Sequence, residues 1–287
     1  MSPSRPTFDL VTATVDRVRE LGALLDSLEA QTYRQFRLLV VDQNDDDRLD
    51  AVLGDRGFAI VRLHSARGLS RARNVGLAKV EADAVAFPDD DCVYPPELLE
   101  EVARRLEDAR LDGVTGRAVD RHGRSSTSWK TDSAVLTEHN LWNRAISYTI
   151  FLRLDVVEGV GGFDEQLGLG SAAAWSSGEE TDYLVRAVRA GARIAYDPEL
   201  TVTHDDAALS PRELRARGYR DGASIGHILR KHRYPRRALV RMLVRPLGGA
   251  LVSLARLDVP RARFHAATFR GRIRGLRARS SGAEQPT

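Results

Sequence analysis

Hydrophobic and polar positions in the first hundred residues switch between two periods. Phe8-Asp9-Leu10-Val11-Thr12-Ala13-Thr14 is an apolar run of strand length, and Val18, Leu21, Leu24, Leu25 and Leu28 then recur at helical spacing. Arg37 to Asp42 is nearly continuous in apolar residues, as a strand buried on both faces should be. Ala59 to Leu63 predicts a third strand, and Leu69, Ala72, Val75 and Leu77 a short helix. Ala84 to Phe87 predicts a fourth strand, and from Pro96 onward Leu98, Leu99, Val102 and Leu106 share one helical face. Strands separated by helices predict a mostly parallel sheet covered on both faces, whose ligands gather beyond the carboxyl ends of the strands. That rule singles out Thr12 to Asp16, Asp42 to Asp45 and Asp89 to Asp91.

The fourth run stops abruptly at Asp89-Asp90-Asp91. If the extended backbone persists, Asp89 and Asp91 project to one side and Asp90 to the other. Two carboxylates on one side suit a hard divalent cation that also bridges substrate phosphates; a solvated acidic turn is the alternative. The chain has no G-x-x-x-x-G-K-[ST], and no G-x-G-x-x-G follows the first strand, so a phosphate bound here would lean on a metal and on basic side chains. Arg67-Gly68-Leu69-Ser70-Arg71-Ala72-Arg73-Asn74 offers the latter at a helix start, unless its arginines are ordinary surface residues. Arg71 and Arg73, two positions apart, cannot both face the same way.

A second informative stretch runs through Gly161-Gly162-Phe163-Asp164-Glu165 to Trp175-Ser176-Ser177-Gly178-Glu179-Glu180-Thr181-Asp182. Its glycines mark a tightly turning loop, and Glu179-Glu180 opens a helix carrying Tyr183, Leu184, Ala187 and Val188. Carboxylates there either complement the helix dipole or stand ready as a general base beside a bound hydroxyl. Trp175 is either a platform for a sugar's C–H face or a loop anchor.

The order of Thr12-Ala13-Thr14, Val41-Asp42, Ala72-Arg73-Asn74, Asp89-Asp90-Asp91, Gly161-Gly162-Phe163-Asp164-Glu165, Gly178-Glu179-Glu180 and His204 resembles the family 2 glycosyltransferases of the GT-A fold over residues 8 to 205. The resemblance implies a Rossmann-like α/β domain and an inverting transfer of a sugar from a nucleoside diphosphate sugar to an acceptor hydroxyl, with Mg²⁺ or Mn²⁺. By the same resemblance Thr12, Thr14 and Asp42 line the nucleoside pocket, and Arg71 or Arg73 lies near the base or diphosphate. Asp91 heads the metal set with Asp89 and His204, while Asp89 or Asp90 serves ribose and water-mediated contacts on the nucleotide-sugar side. Glu180 inherits the base position, where many relatives have aspartate; Asp182 is its competitor, and Glu179 and Trp175 fall to the acceptor side.

Composition adds limits. A chain of 287 residues with 43% hydrophobic residues can bury a substantial core, and its single cysteine, Cys92, excludes an intramolecular disulfide. Met1 to Pro6 leads into the first strand without an apolar signal core, so no secretory signal is expected. The net charge of +3 conceals an asymmetry: Asp205 to Arg279 holds about nineteen Lys and Arg against about five Asp and Glu. The expected organisation is a catalytic domain over 1–205, a basic amphipathic helical extension over 206–279 and a disordered tail over 280–287. Ala238 to Leu254, interrupted by Arg241, Arg245 and Pro246, reads as too broken to span a membrane. The extension fits an anionic membrane surface and a lipid-linked or other glycan acceptor, or else packs on the protein itself or in a homo-oligomer. A cytoplasmic protein, peripheral at the inner face of the membrane, follows. Two other readings are a nucleotide-sugar-binding protein without turnover and a basic-tail nucleic-acid binder. The first would lack a base or a metal carboxylate, and the second lacks the interleaved aromatics of a base-stacking surface, so no nucleic acid is expected.

Overall fold

The strand-length runs form one sheet in the computed structural model, which describes residues 5–125, 128–173, 175–205 and 209–278. Strands β1 (Phe8–Thr14), β2 (Phe36–Asp42) and β3 (Ala59–His64) alternate with helices α1 (Val18–Glu29), α2 (Asp50–Leu53) and α3 (Leu69–Leu77). β4 (Ala84–Ala86) and β5 (Cys92–Val93) precede α4 (Leu98–Leu106), and β6 (Gly113–Val119), β7 (Ala134–Val135), β8 (Ile150–Arg153), α5 (Leu154–Val160), α6 (Glu179–Arg189) and β9 (Ile194–His204) follow. The sheet order is β3-β2-β1-β4-β8-β6-β9-β5, with β7 on β9. β3, β2, β1 and β4 run parallel, as the apolar runs predict; β8 lies antiparallel between β4 and β6, and β5 and β7 are antiparallel to β9. Phe8, Leu10, Leu38 and Val40 pack with Leu21, Leu25, Leu99 and Val102 in the core.

Two pairings fix the site. Thr14 aligns with Asp42, so both stand at the same carboxyl-end rim. Cys92 pairs with His204, which sets Asp91 beside that histidine.

The chain divides into two units: Met1–Glu165 with Glu179–Ala207, and Gln166–Gly178 with Ala208–Thr287. Gln166–Gly178, expected within the catalytic part, therefore groups with the helical extension. The expected tail over 280–287 lies outside the described residues.

The second unit is built on α7 (Pro211–Lys231), α8 (Arg236–Ala255) and α9 (Val259–Arg277). Ser210 caps α7 through a reciprocal bond with Glu213, and Pro211 takes the first helical position. α7 and α9 approach backbone to backbone: a Cβ on Gly222 would meet the Thr268 carbonyl oxygen at 2.3 Å, and one on Gly271 the Tyr219 oxygen at 2.1 Å. Only glycine permits that contact.

α8 corrects the expectation of a broken segment. It runs 20 residues straight through Pro246, is apolar and long enough to cross a membrane, and is little buried. A proline inside a helix orphans the carbonyl four residues earlier. Here that carbonyl, on Met242, accepts instead from the Arg272 guanidinium of α9. Burial of Arg272, reinforced by Arg245, lowers its pKa to about 10.

Candidate active site

The three aspartates do not continue β4. The Cys92 N–H donates to the Asp89 carbonyl at 3.1 Å, a tight turn that abolishes the alternation expected of an extended strand. Asp90 and Asp91 consequently share Arg17, whose Nη1 donates to Asp90 Oδ1 at 3.0 Å and to Asp91. Asp89 turns the other way, accepting from Arg73 Nη2 at 2.8 Å and from Ser147 Oγ at 3.2 Å.

Asp91 Oδ1 lies 3.2 Å from His204 Nε2, and the imidazole stacks on Tyr148 with centroids 4.9 Å apart. Burial alone would raise the Asp91 carboxyl, but His204 and Arg17 hold it below the ordinary carboxylate range. Burial does prevail at Asp90, pushing its carboxyl up to about 6. Of the expected metal set, Asp91 and His204 are therefore brought together. Asp89 is diverted to Arg73, and no group of three metal-ligating side chains occurs among the described residues.

Arg73 is the hidden centre of the site. Its side chain is 2% exposed, and its Nη1 donates to Glu179 Oε1 at 2.7 Å while Nη2 holds Asp89. The guanidinium also lies 5.5 Å from the Phe163 ring centroid. Burial opposes its charge, but Asp89, Glu179 and Glu180 outweigh it, so the pKa is raised. Arg71 points elsewhere, donating to Glu165 Oε2 at 3.1 Å on the surface, as the two-residue offset requires.

Asn74 explains why a Gly-Gly-Phe loop follows so far along the chain. Its Oδ1 accepts from the Phe163 N–H at 2.7 Å and its Nδ2 donates to the Phe163 carbonyl at 3.0 Å, clamping the loop. Gly162 lies against that clamp, where a Cβ would come within 3.0 Å of Asn74 Oδ1. Phe163 then stacks on Tyr183 of α6 at 4.3 Å and meets Phe87 edge-on at 5.1 Å, fixing the helix that opens with Glu179-Glu180.

Glu179 is buried and bound to Arg73, whereas Glu180 is half-buried. Burial, together with the adjacent Glu179 carboxylate, raises the Glu180 pKa to about 8. Asp182 is fully buried and accepts from Arg186 one turn along its own helix at 3.1 Å, a structural pairing. The two candidate bases are thus distinguished by what they touch.

At the same carboxyl-end rim the hydroxyl of Thr12 is buried and has no hydrogen-bond partner among the described residues, while Thr14 is buried nearby at the strand end. Asp42 is committed: Oδ1 accepts from the Asn44 N–H at 2.8 Å and Nδ2 at 2.7 Å, and Oδ2 from Arg62 at 2.7 and 3.0 Å. Burial would raise its carboxyl, but these donors hold it low. Trp175, in the second unit, is buried and stacked on His227 at 4.2 Å, the geometry of a loop anchor. Arg17, Arg62, Ser147 and Tyr148 lie outside the residues singled out by sequence, and Asn44 falls within the Asp42 to Asp45 segment without a role of its own. Arg17 stands one residue past the rim segment that the strand-end rule selects, and Ser147 and Tyr148 carry no local signal.

The sequence profile described as "Glycosyl transferase family 2" matches residues 9–161. Pre-mycofactocin glycosyltransferase of Mycobacterium tuberculosis is 29% identical over 217 residues, covering 71% of this chain and 44% of the relative, so the chain spans less than half of that protein's length. Glycosyltransferase AglE of Haloferax volcanii is 24% identical over 188 residues, covering 61% of this chain and 62% of the relative. The mannosyltransferase PcManGT from Pyrobaculum calidifontis, solved with GDP-Man and Mn²⁺, superposes with a TM-score of 0.65 at 16% identity, covering 96% of this chain and 88% of that one. Staphylococcus aureus TarS 1-349 in complex with UDP-GlcNAc gives 0.58 at 17% identity, covering 92% and 91%. At such identities the solved structures establish the fold, which is GT-A. The profile match covers more than half of the chain and includes the rim carboxylates and Arg73, and the chain belongs to glycosyl transferase family 2.

Proposed function

We propose that the chain is an inverting, metal-assisted glycosyltransferase that moves a sugar from a nucleoside diphosphate sugar to an acceptor hydroxyl, with Glu180 as general base. The observation that carries this reading is the Arg73 bridge, which joins Asp89 of the aspartate turn to Glu179 beside Glu180. Donor-side and proton-transfer groups thereby belong to one rigid cluster. The buried, unpartnered Thr12 hydroxyl suits a nucleoside, with Thr14 and Asp42 shaping the same rim.

Asp91 and His204 form an oxygen and nitrogen pair, and these residues would hold Mg²⁺ or Mn²⁺. The bound ion would supply Lewis-acid stabilisation of the leaving diphosphate. Glu180, as carboxylate, takes the acceptor O–H proton while that oxygen bonds to the anomeric carbon. The carbon–oxygen bond to the diphosphate breaks, its electron pair leaves with the phosphate, and the configuration inverts. Arg73 keeps Asp89 and Glu179 in place and also attracts the nearby Glu180 carboxylate.

The donors bound by PcManGT and TarS, GDP-Man and UDP-GlcNAc, support the donor class. A glycan or lipid-linked acceptor and a cytoplasmic site at the inner face of the membrane complete the reading. A binding protein without turnover is disfavoured because the sequence carries both Asp91 and Glu180. The test is a panel of UDP-, GDP- and dTDP-sugars incubated with the chain and Mn²⁺, followed by NMR for binding and slow hydrolysis. One nucleobase should be preferred and its turnover stopped by chelation. If no donor binds or hydrolyses, the assignment falls.

A further inference from the structure

α8 presents an exposed face that nothing in the proposed reaction uses. Val240, Val244, Leu247, Leu251 and Leu254 recur at helical spacing in one stripe and are 59%, 55%, 40%, 69% and 53% exposed. Leu257, 86% exposed at a left-handed turn with φ 59°, and Val259 carry the apolar surface past the helix end. Arg237, Arg241 and Arg245, four residues apart and exposed, form a second row along one flank of the stripe. No Asp or Glu occurs from residue 236 to 257.

The other side of α8 is occupied. A Cβ on Gly249 would meet His265 of α9 at 2.7 Å, and Arg272 closes the carbonyl that Pro246 leaves open. The exposed face is therefore a fixed platform.

We propose that this face docks flat on an anionic lipid bilayer, with the apolar stripe and Leu257 below the headgroups and Arg237, Arg241 and Arg245 on lipid phosphates. Charge selects this occupant. An isologous pair of these faces would bring arginine rows together with no carboxylate on the face to meet them. A spanning helix would carry Arg241 and Arg245 into the hydrocarbon, where each is costly. Flat docking buries the stripe and leaves the arginines at the depth where anionic phosphates lie.

The proposal stands on the second unit alone, so it can fail or hold independently of the donor and base assignments. The test is co-sedimentation of the full chain with phosphatidylcholine vesicles and with vesicles doped with phosphatidylglycerol. Binding should favour the anionic vesicles and weaken at least tenfold near 1 M NaCl, where the screening length falls to about 3 Å. Leu251→Glu with Leu254→Glu should reduce binding more than tenfold. Replacing the three arginines by Gln should cost about fivefold each on anionic vesicles and little on neutral ones. Circular dichroism melting of these surface variants should match the parent. Failure to bind either vesicle, or binding that both variants leave unchanged, overturns the proposal. So does self-association in the ultracentrifuge that Leu251→Glu abolishes without any vesicle binding, or resistance to alkaline carbonate extraction, the mark of a spanning helix.

Discussion

Glu180→Gln is expected to lower turnover by about 10²–10⁴-fold while nucleoside diphosphate affinity stays within a few fold. The substitution keeps the size of the side chain and removes only its capacity to hold the acceptor's proton. Asp182→Asn should act differently, because Asp182 is buried and accepts from Arg186 of its own helix; its loss should appear in thermal stability first. If Asp182→Asn abolishes turnover and Glu180→Gln does not, the base is misplaced. The pH dependence adds a signature. With the Glu180 pKa raised to about 8 in the free protein, kcat/KM should climb through a limb near that pH to a plateau above it. The folded-state value lies above the ordinary glutamate value, so the folded protein binds the extra proton. Its stability then falls as pH rises from the ordinary carboxyl range through about 8. Glu180→Gln should escape that loss, melting a few degrees above the parent at pH 9 and no higher at pH 4.

The second large effect is expected at Arg73. Removing one partner of a buried ion pair leaves the others buried without compensation, a cost of about 3–5 kcal/mol. Arg73→Met strands both Asp89 and Glu179, and it also removes the cation lying by the Phe163 ring. Melting should drop by roughly 6–20 °C at about 2–4 °C per kcal/mol for a unit of this size. Turnover should fall even at temperatures where the variant is folded, because Glu180 then has a mobile neighbour. Arg73→Lys should recover little, since a single ammonium cannot reproduce two bonds from opposite ends of a planar fork. A variant as stable as the parent would show that Arg73 is not the keystone.

Which parts of this molecule can be read from residues alone follows from how local the signal is. β1 to β3 are runs of six or seven residues with helical periods between them, and that pattern is sufficient to place the parallel half of the sheet. β5 and β7 are two residues each, too short to have a period, yet β5 aligns Cys92 with His204 and so creates the Asp91–His204 pair. Whether the aspartates continue the strand or turn is open in the sequence, because Pro88 and the following turn leave no mark in the hydrophobic pattern. Asp42 was placed on the correct rim but not in its pairing with Arg62, a neighbour supplied by β3 through sheet register. α8 looked broken at Pro246 because the remedy, a guanidinium from α9, lies thirty residues away in sequence. The motif order, by contrast, was legible because Asn74 and the Gly-Gly-Phe loop make direct contact, and such contacts tie residue types to positions.

In the proposed reaction the aspartate turn and His204 receive a nucleoside diphosphate with a divalent ion. Calorimetric titration of UDP, GDP and dTDP into the chain, with and without Mn²⁺, in parent and Asp91→Ala protein, tests it most directly. Metal-dependent binding of one diphosphate is expected, weakened at least tenfold, about 1.4 kcal/mol, in Asp91→Ala while the fold is retained. Equal binding by parent and variant, or no binding of any diphosphate with Mn²⁺ present, would contradict it.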